Sequence, residues 1–352
     1  MKDLIARSRS LEETAQSKKG LIWILEILVF GAVFIVATIA QTLVMGPIQI
    51  AVMFTDKSYL AAMQTGDVEK AAQASVQLSQ RLMSSDWYLI VMLLSDAALI
   101  GIVFLFCRFI QKRKLRTLGF VKKDIVKEYA LGMLTGFFMF SACVLFSFLF
   151  GGLKIAGIAP DFSIGIFALY LLGYMVQGMA EEVLCRGYFL GSYARRYPVY
   201  AAVLANSLLF ACLHLLNSGI TVLAFINLTL FGIFASLYFI RRGSIWGIGA
   251  FHSVWNLVQG NFYGIQVSGT PLGNSLFTTK LTEGRPLLNG GSFGMEGSLL
   301  TNTEFPVLCA VSGFVNDFNE FLSSVFSGWQ RDCRPCFWIG QGSERYLLNA
   351  SI

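Results

Sequence analysis

The sequence predicts an all-α fold, a polytopic membrane helical bundle of about seven to eight transmembrane helices. Three observations predict it. Of 352 residues, 55% are hydrophobic. Only 14% are charged, against about 25% in an average soluble chain. Apolar runs of about 20 residues, the length that crosses a bilayer as a helix, recur along the chain. The mean hydropathy of +0.63 agrees. Disorder, collagen-like repeats and an ordinary soluble domain are excluded.

The first apolar run covers 21–45. It follows a polar, basic segment, 1–20, and lacks the short core and small-residue cleavage site of a signal peptide, so it reads as an uncleaved span. Further runs cover 87–109, 129–153, a stretch from 164 onward, 199–216, 221–240 and 245–262. Together they give about seven helices in one body, with no soluble domain large enough to fold alone before residue 265 and no internal repeat. The loop 56–86 is mildly acidic and reads as an extracytoplasmic segment with a short amphipathic helix. The chain thus divides into the N-terminal segment 1–20, a three-helix membrane region 21–163, a second membrane region 164–300 and a tail 301–352. In that tail 306–326 is amphipathic at best and 328–352 is polar.

Charge placement sets the orientation. Lys112, Arg113, Lys114, Arg116, Lys122 and Lys123 share one loop, and Arg195–Arg196 and Arg241–Arg242 close two later segments. The positive-inside rule places these and the N-terminus in the cytoplasm. The net charge of +6 therefore marks topology and anionic lipid. With no basic patch interleaved with aromatics, nucleic acid is not an expected partner. Four of the seven cysteines, Cys107, Cys143, Cys185 and Cys212, lie in or beside spans and read as small hydrophobes. Cys309 stands alone in the tail, and Cys333 and Cys336 form a lone C-x-x-C without a second ligand pair.

A charged group at mid-membrane costs at least about 2.5–3.5 kcal/mol, so each one needs a reason. Glu26 lies near the cytoplasmic end of the first span and is expected to snorkel. Asp96 lies mid-span in the second and is expected to face the bundle interior or a wet cavity. Glu181, Glu182 and Arg186 form the densest cluster. On a regular helix Glu182 and Arg186 are i,i+4 neighbours, while Glu181 points about 100° away. One carboxylate is then neutralised and the other stays free to act as a general base. The ordinary alternative is a salt-bridged pair at a helix end. The two histidines of the chain, His214 and His252, both fall in apolar runs, and Asn256 shares a helix face with His252. Counting from a turn at Tyr197, Glu181 and His214 both lie about 24–26 Å along their helices, so an antiparallel hairpin brings them level. His252 and Asn256 come out shallower.

At these residues the sequence resembles the CPBP intramembrane endopeptidases, which include the type II CAAX prenyl endopeptidases and the bacterial Abi-type proteins. The family pattern is EExxxR, FxxxH and HxxxN on successive helices. The chain reads EEVLCR at Glu181–Arg186, FACLH at Phe210–His214 and HSVWN at His252–Asn256. RRGSIW at 241–246 resembles the family's lead-in to the last motif, and GGSFGMEGSLL at 290–300 its later segment. The likeness covers about residues 164–300. It implies a multi-pass protein of a bacterial plasma membrane that hydrolyses peptide bonds of membrane-associated or lipidated peptides. Its partners are then a peptide or protein substrate and the lipid bilayer.

Carried over by position, Glu181 would be the general base, with His214 helping it to activate water. His252 and Asn256 would donate to the oxyanion, and Glu182 and Arg186 would brace the site. Asp96 and Phe210 are candidate cavity residues. No cofactor is the favoured reading; zinc held by Glu181, His214 and His252 is the alternative. Two rival functions stay open at this point: a proton-coupled transporter, and a non-catalytic membrane immunity or scaffold protein. The sequence sets no oligomeric state.

Overall fold

The computed structural model describes residues 19–301, together with Glu13, Thr14 and Ser323. The expectations for most of 1–20 and for the tail beyond Thr301, including Cys309, Cys333 and Cys336, lie outside the described residues.

Among the described residues five helices are long and apolar enough to cross a membrane: α1 (Trp23–Thr55), α4 (Asp86–Ile110), α5 (Ile125–Leu149), α6 (Ile164–Ala194) and α8 (Val222–Arg242). Between α1 and α4 lie two short helices, α2 (Lys57–Gln64) and α3 (Val68–Met83), so the acidic loop holds two helices where one was expected. Asp56 caps α2. Hydrogen bonds from the Ser58 hydroxyl and the Tyr59 backbone N–H, with Arg81 beside it, hold its carboxyl below the usual carboxylate range. The two remaining runs form α7 (Val199–Leu213) and α9 (Trp246–Leu257), the latter continued by a π turn at Val258–Phe262.

The helical class stands, with three corrections. First, α7 has 15 residues and stops at His214, which closes it with a tight turn instead of lying inside it. At 1.5 Å per residue α7 spans only about 22 Å. Both α7 and α9 are inner helices that need not cross alone. Second, α5 ends at Leu149, four residues before the expected limit, because the chain turns at Gly151, whose φ is +71°. Third, an antiparallel ribbon appears that the sequence did not announce. Strand β1 (Leu153–Ile158) follows α5 and pairs with β2 (Phe277–Leu281), with a bulge between Ile155 and Gly157.

Polar residues tie down the side that carries the basic loops. Glu26 does not snorkel. It is fully buried, accepts from Leu21 N at 2.9 Å and lies 3.6 Å from Arg195. Arg113, also buried, donates to the carbonyls of Gly187 and Tyr188 near the end of α6. Arg242 pairs with Glu128 and Arg116 with Glu13. Part of the basic excess is therefore structural. Of the four cysteines in or beside spans, Cys107, Cys143 and Cys185 are buried, whereas Cys212 is exposed on α7.

The central element is α9, enclosed by α5 on one flank and α6 on the other. Small residues make this approach possible, as is usual between membrane helices. A Cβ at Gly132 would overlap the carbonyl oxygen of Gly247, and one at Gly136 would lie 2.7 Å from that of Phe251. On the other flank a Cβ at Gly178 would lie 2.7 Å from Ser253 N. These contacts seat His252 and Asn256 at a fixed depth.

Gly136→Ile should therefore lower thermal stability in detergent by at least about the 1–3 kcal/mol typical of overpacking. Gly31→Ile on α1, where a Cβ meets nothing within 4 Å, should leave the melting temperature close to wild type. Equal melting temperatures for both variants would contradict this packing.

Candidate active site

The EExxxR motif straddles a change of helix type. Residues up to Glu182 are α-helical, and Val183–Leu190 form a π-helical stretch before the α-helix resumes at Gly191. Such stretches are rare and often occur at functional sites. Despite it, Arg186 Nη1 donates to Glu182 Oε1 at 3.0 Å, both side chains being fully buried. The pairing expected from a regular helix is therefore present on an irregular one. Arg186 also donates to the carbonyl of Gly232 on α8 at 3.3 Å. Its guanidinium lies over the Phe210 ring, 4.6 Å from the centroid. Phe210, the first residue of FxxxH, thus serves as an aromatic seat for the arginine of the preceding motif.

His252 joins the third motif to the first. Its Nδ1 lies 2.9 Å from Glu182 Oε1. Because that carboxylate is paired with Arg186, the histidine nitrogen is the donor. The other ring nitrogen, Nε2, then lies 3.7 Å from Glu181 Oε2. The Glu181 carboxylate is held at Oε1 by Gln177 Nε2 at 2.5 Å, while its Oε2 is buried without a hydrogen-bond partner. Asn256 Nδ2 donates to Gln177 Oε1 at 2.9 Å. One N–H of Asn256 is therefore taken by Gln177, and only the second is open for a substrate oxygen. His214 sits at the end of α7, its Nδ1–H donating to Phe210 O at 2.9 Å. In the neutral ring this leaves Nε2 as an acceptor.

Glu181, His214, His252, Asn256, Phe210 and Asp96 all line one cavity of about 230 Å³. Glu182 and Arg186 stand behind its wall. Asp96 interrupts α4, and its Oδ1 accepts from Gln41 Nε2 of α1 at 2.8 Å. Among the described residues no three His, Cys, Asp or Glu side chains converge as a ligand group.

Sequence reasoning missed Gln177, one turn before Glu181, which links Glu181 to Asn256. As the one amide in the apolar helix Ile164–Glu182 it was detectable. It also missed Glu296, which is 8% exposed and lines the same cavity from a 3₁₀ turn, its Oε2 accepting from Ser268 N and Oγ at 2.8 and 2.7 Å. Glu296 lies in a glycine-rich segment with no helical period to mark it.

The fold and cavity define a helical membrane protein with a carboxylate–histidine site sunk among its spans. Residues 163–258 match the family described as type II CAAX prenyl endopeptidase Rce1-like. This match takes in all three motifs and agrees with the resemblance to the CPBP intramembrane endopeptidases. No curated protein and no solved structure matches the chain.

Glu182→Ala should cost about 3–5 kcal/mol, because it strands the Arg186 charge in a dry interior. Pairing it with Arg186→Met should recover much of that loss. Thermal unfolding of the two variants in detergent decides. A single variant as stable as wild type would remove the network from the account.

Proposed function

We propose that the cavity hydrolyses a peptide bond of a membrane-associated peptide, without a metal, by a water that Glu181 and His214 activate. The observation that carries this reading is the Glu181 carboxylate, oriented by Gln177 at one oxygen and unpartnered at the other, beside His252 in a cavity of about 230 Å³. The family match favours a membrane endopeptidase acting on a membrane-associated substrate.

In this mechanism a water lies against Glu181 Oε2, with His214 Nε2 accepting its second hydrogen. Glu181 takes a proton as the water oxygen bonds to the scissile carbonyl carbon. The carbonyl electrons move onto oxygen, where Nε2–H of protonated His252 and the open N–H of Asn256 receive the charge. Glu181 then returns its proton to the departing nitrogen, and the C–N bond breaks to leave an acid and an amine. Glu182 fixes His252 with Nδ1 as a donor, and Arg186 balances the buried charge of Glu182. These are positioning roles. The N-terminus and the basic loops face the cytoplasm in this reading, following the positive-inside rule.

Cleavage of a quenched-fluorophore membrane peptide by purified protein tests the reading. Glu181→Ala, His214→Ala and His252→Ala should each lower kcat by about 10²–10⁴-fold, as loss of acid–base catalysis does, without a matching loss of melting temperature. Unchanged cleavage in all three would remove the site. A strong chelator should leave wild-type activity intact. Complete loss restored by zinc would overturn the metal-free mechanism. Glu181-dependent proton uptake into liposomes without any cleavage would favour transport instead.

A further inference from the structure

The cavity is one-sided in its charge. Three carboxylates line it, Asp96, Glu181 and Glu296, and neither Lys nor Arg does. Its two basic groups are His214 and His252, both already engaged. Aromatic rings complete the wall, among them Tyr170, Tyr174, Phe231 and Trp255. Acidic groups with aromatic faces in a recessed cavity are the chemistry that receives a cation. A free carboxylate on the substrate would find no positive partner among the lining side chains except a charged histidine.

The three carboxylates have different engagements. Glu181 is committed to the water. Glu296 is more than nine-tenths buried and holds Ser268 with Oε2. Among the described residues no donor reaches its Oε1. Asp96 is half-buried, and among the described residues its carboxylate accepts a single hydrogen bond, from Gln41 to Oδ1. It lines the same cavity as Glu181, so two ionised carboxylates there would repel. A cation seated at Asp96 would relieve that repulsion. It would also keep Glu181 ionised, as a general base must be.

We propose that the substrates are apolar membrane peptides carrying a Lys or Arg next to the scissile bond, with Asp96 the carboxylate that receives the cationic side chain. The inference rests on the peptidase reading above and names its substrate class. Gln41 orients Asp96 for this task, and the aromatic wall accommodates the aliphatic stem behind the charge. The repulsion between Asp96 and Glu181 makes the empty cavity a poor host for acidic segments, which supplies selection against the wrong substrate as well as for the right one.

The test uses the full chain in detergent and otherwise identical apolar peptides with Lys, norleucine or Glu at each position flanking the cleaved bond. The Lys peptide should exceed the norleucine peptide in kcat/KM by about tenfold or more at one flanking position, the worth of one good charge pair, and the Glu peptide should be poorest. In Asp96→Asn the ratio of Lys to norleucine should fall towards one. Norleucine equal to or better than Lys, or a ratio that survives Asp96→Asn, would overturn the proposal while leaving the peptidase reading intact. Cleavage of none of the peptides by wild type would overturn both.

A second measurement needs no variant. Millimolar n-butylammonium should inhibit cleavage of the norleucine peptide competitively, and butyrate should not. The reverse order would also overturn the proposal.

Discussion

The structure around the site depends on how one buried carboxylate, Glu182, is compensated. It lies at 0% exposure at membrane depth and accepts from Arg186 on its own helix and His252 on α9. Arg186 in turn reaches Phe210 on α7 and the backbone of Gly232 on α8. Four helices are thus referenced to one charge. A buried ion pair adds little net stability over apolar residues of the same volume, because desolvation consumes most of the attraction. What it supplies is geometry, since breaking either half is costly and a slipped register would break both. The position and tautomer of His252 follow from this constraint, so a group that never meets the water sets how Nε2 faces Glu181.

The close approach of α5 and α9 serves the same end. Without a hydrophobic drive between helices in lipid, association relies on backbone contact at small residues and on interhelical hydrogen bonds. Gly132, Gly136 and Gly178 provide the first. Asn256 to Gln177 and Asn206 to Ser236 provide the second, at 2.9 Å each. The π-helical stretch after Glu182 belongs to this arrangement. A π turn leaves the regular hydrogen-bond ladder, and Arg113 from the neighbouring loop donates to the carbonyls of Gly187 and Tyr188 within it.

The site was legible in the sequence where the membrane penalises residues most. Glu181, Glu182, Arg186, His214 and His252 stood out because a charged or ionisable group in an apolar run must have a partner or a task. Gln177 was overlooked because a lone amide is a weaker anomaly than a charge. Glu296 was overlooked because the segment 264–300 has no helical or strand period against which to call a residue misplaced. The ribbon was hidden for a different reason. β1 and β2 are 6 and 5 residues long and pair across more than a hundred residues of intervening helix, a contact no local pattern reports. The early end of α7 was likewise invisible, because Leu215 and Leu216 continue the apolar run after the helix has closed at His214.

The segment after α9 raises a physical problem of its own. It folds back over the cavity as irregular backbone, and carbonyls at that depth need donors from within the protein. Side-chain amides meet the need. Asn217 donates to Ser268 O, Asn227 to Glu296 O and Ser298 O, Gln259 to Gln266 O, Asn261 to Asn274 O, and Asn289 to Thr282 O. Amides suit this role because they donate without adding a charge to be compensated. A helix in place of this segment would satisfy its own backbone and leave no amides facing inward. Closing the cavity with loop instead gives it a polar roof that can wet, in a part of the molecule otherwise dry. The hydrolysis proposed above needs that local wetness, while the fully buried Glu182–Arg186 pair stays outside the cavity lining.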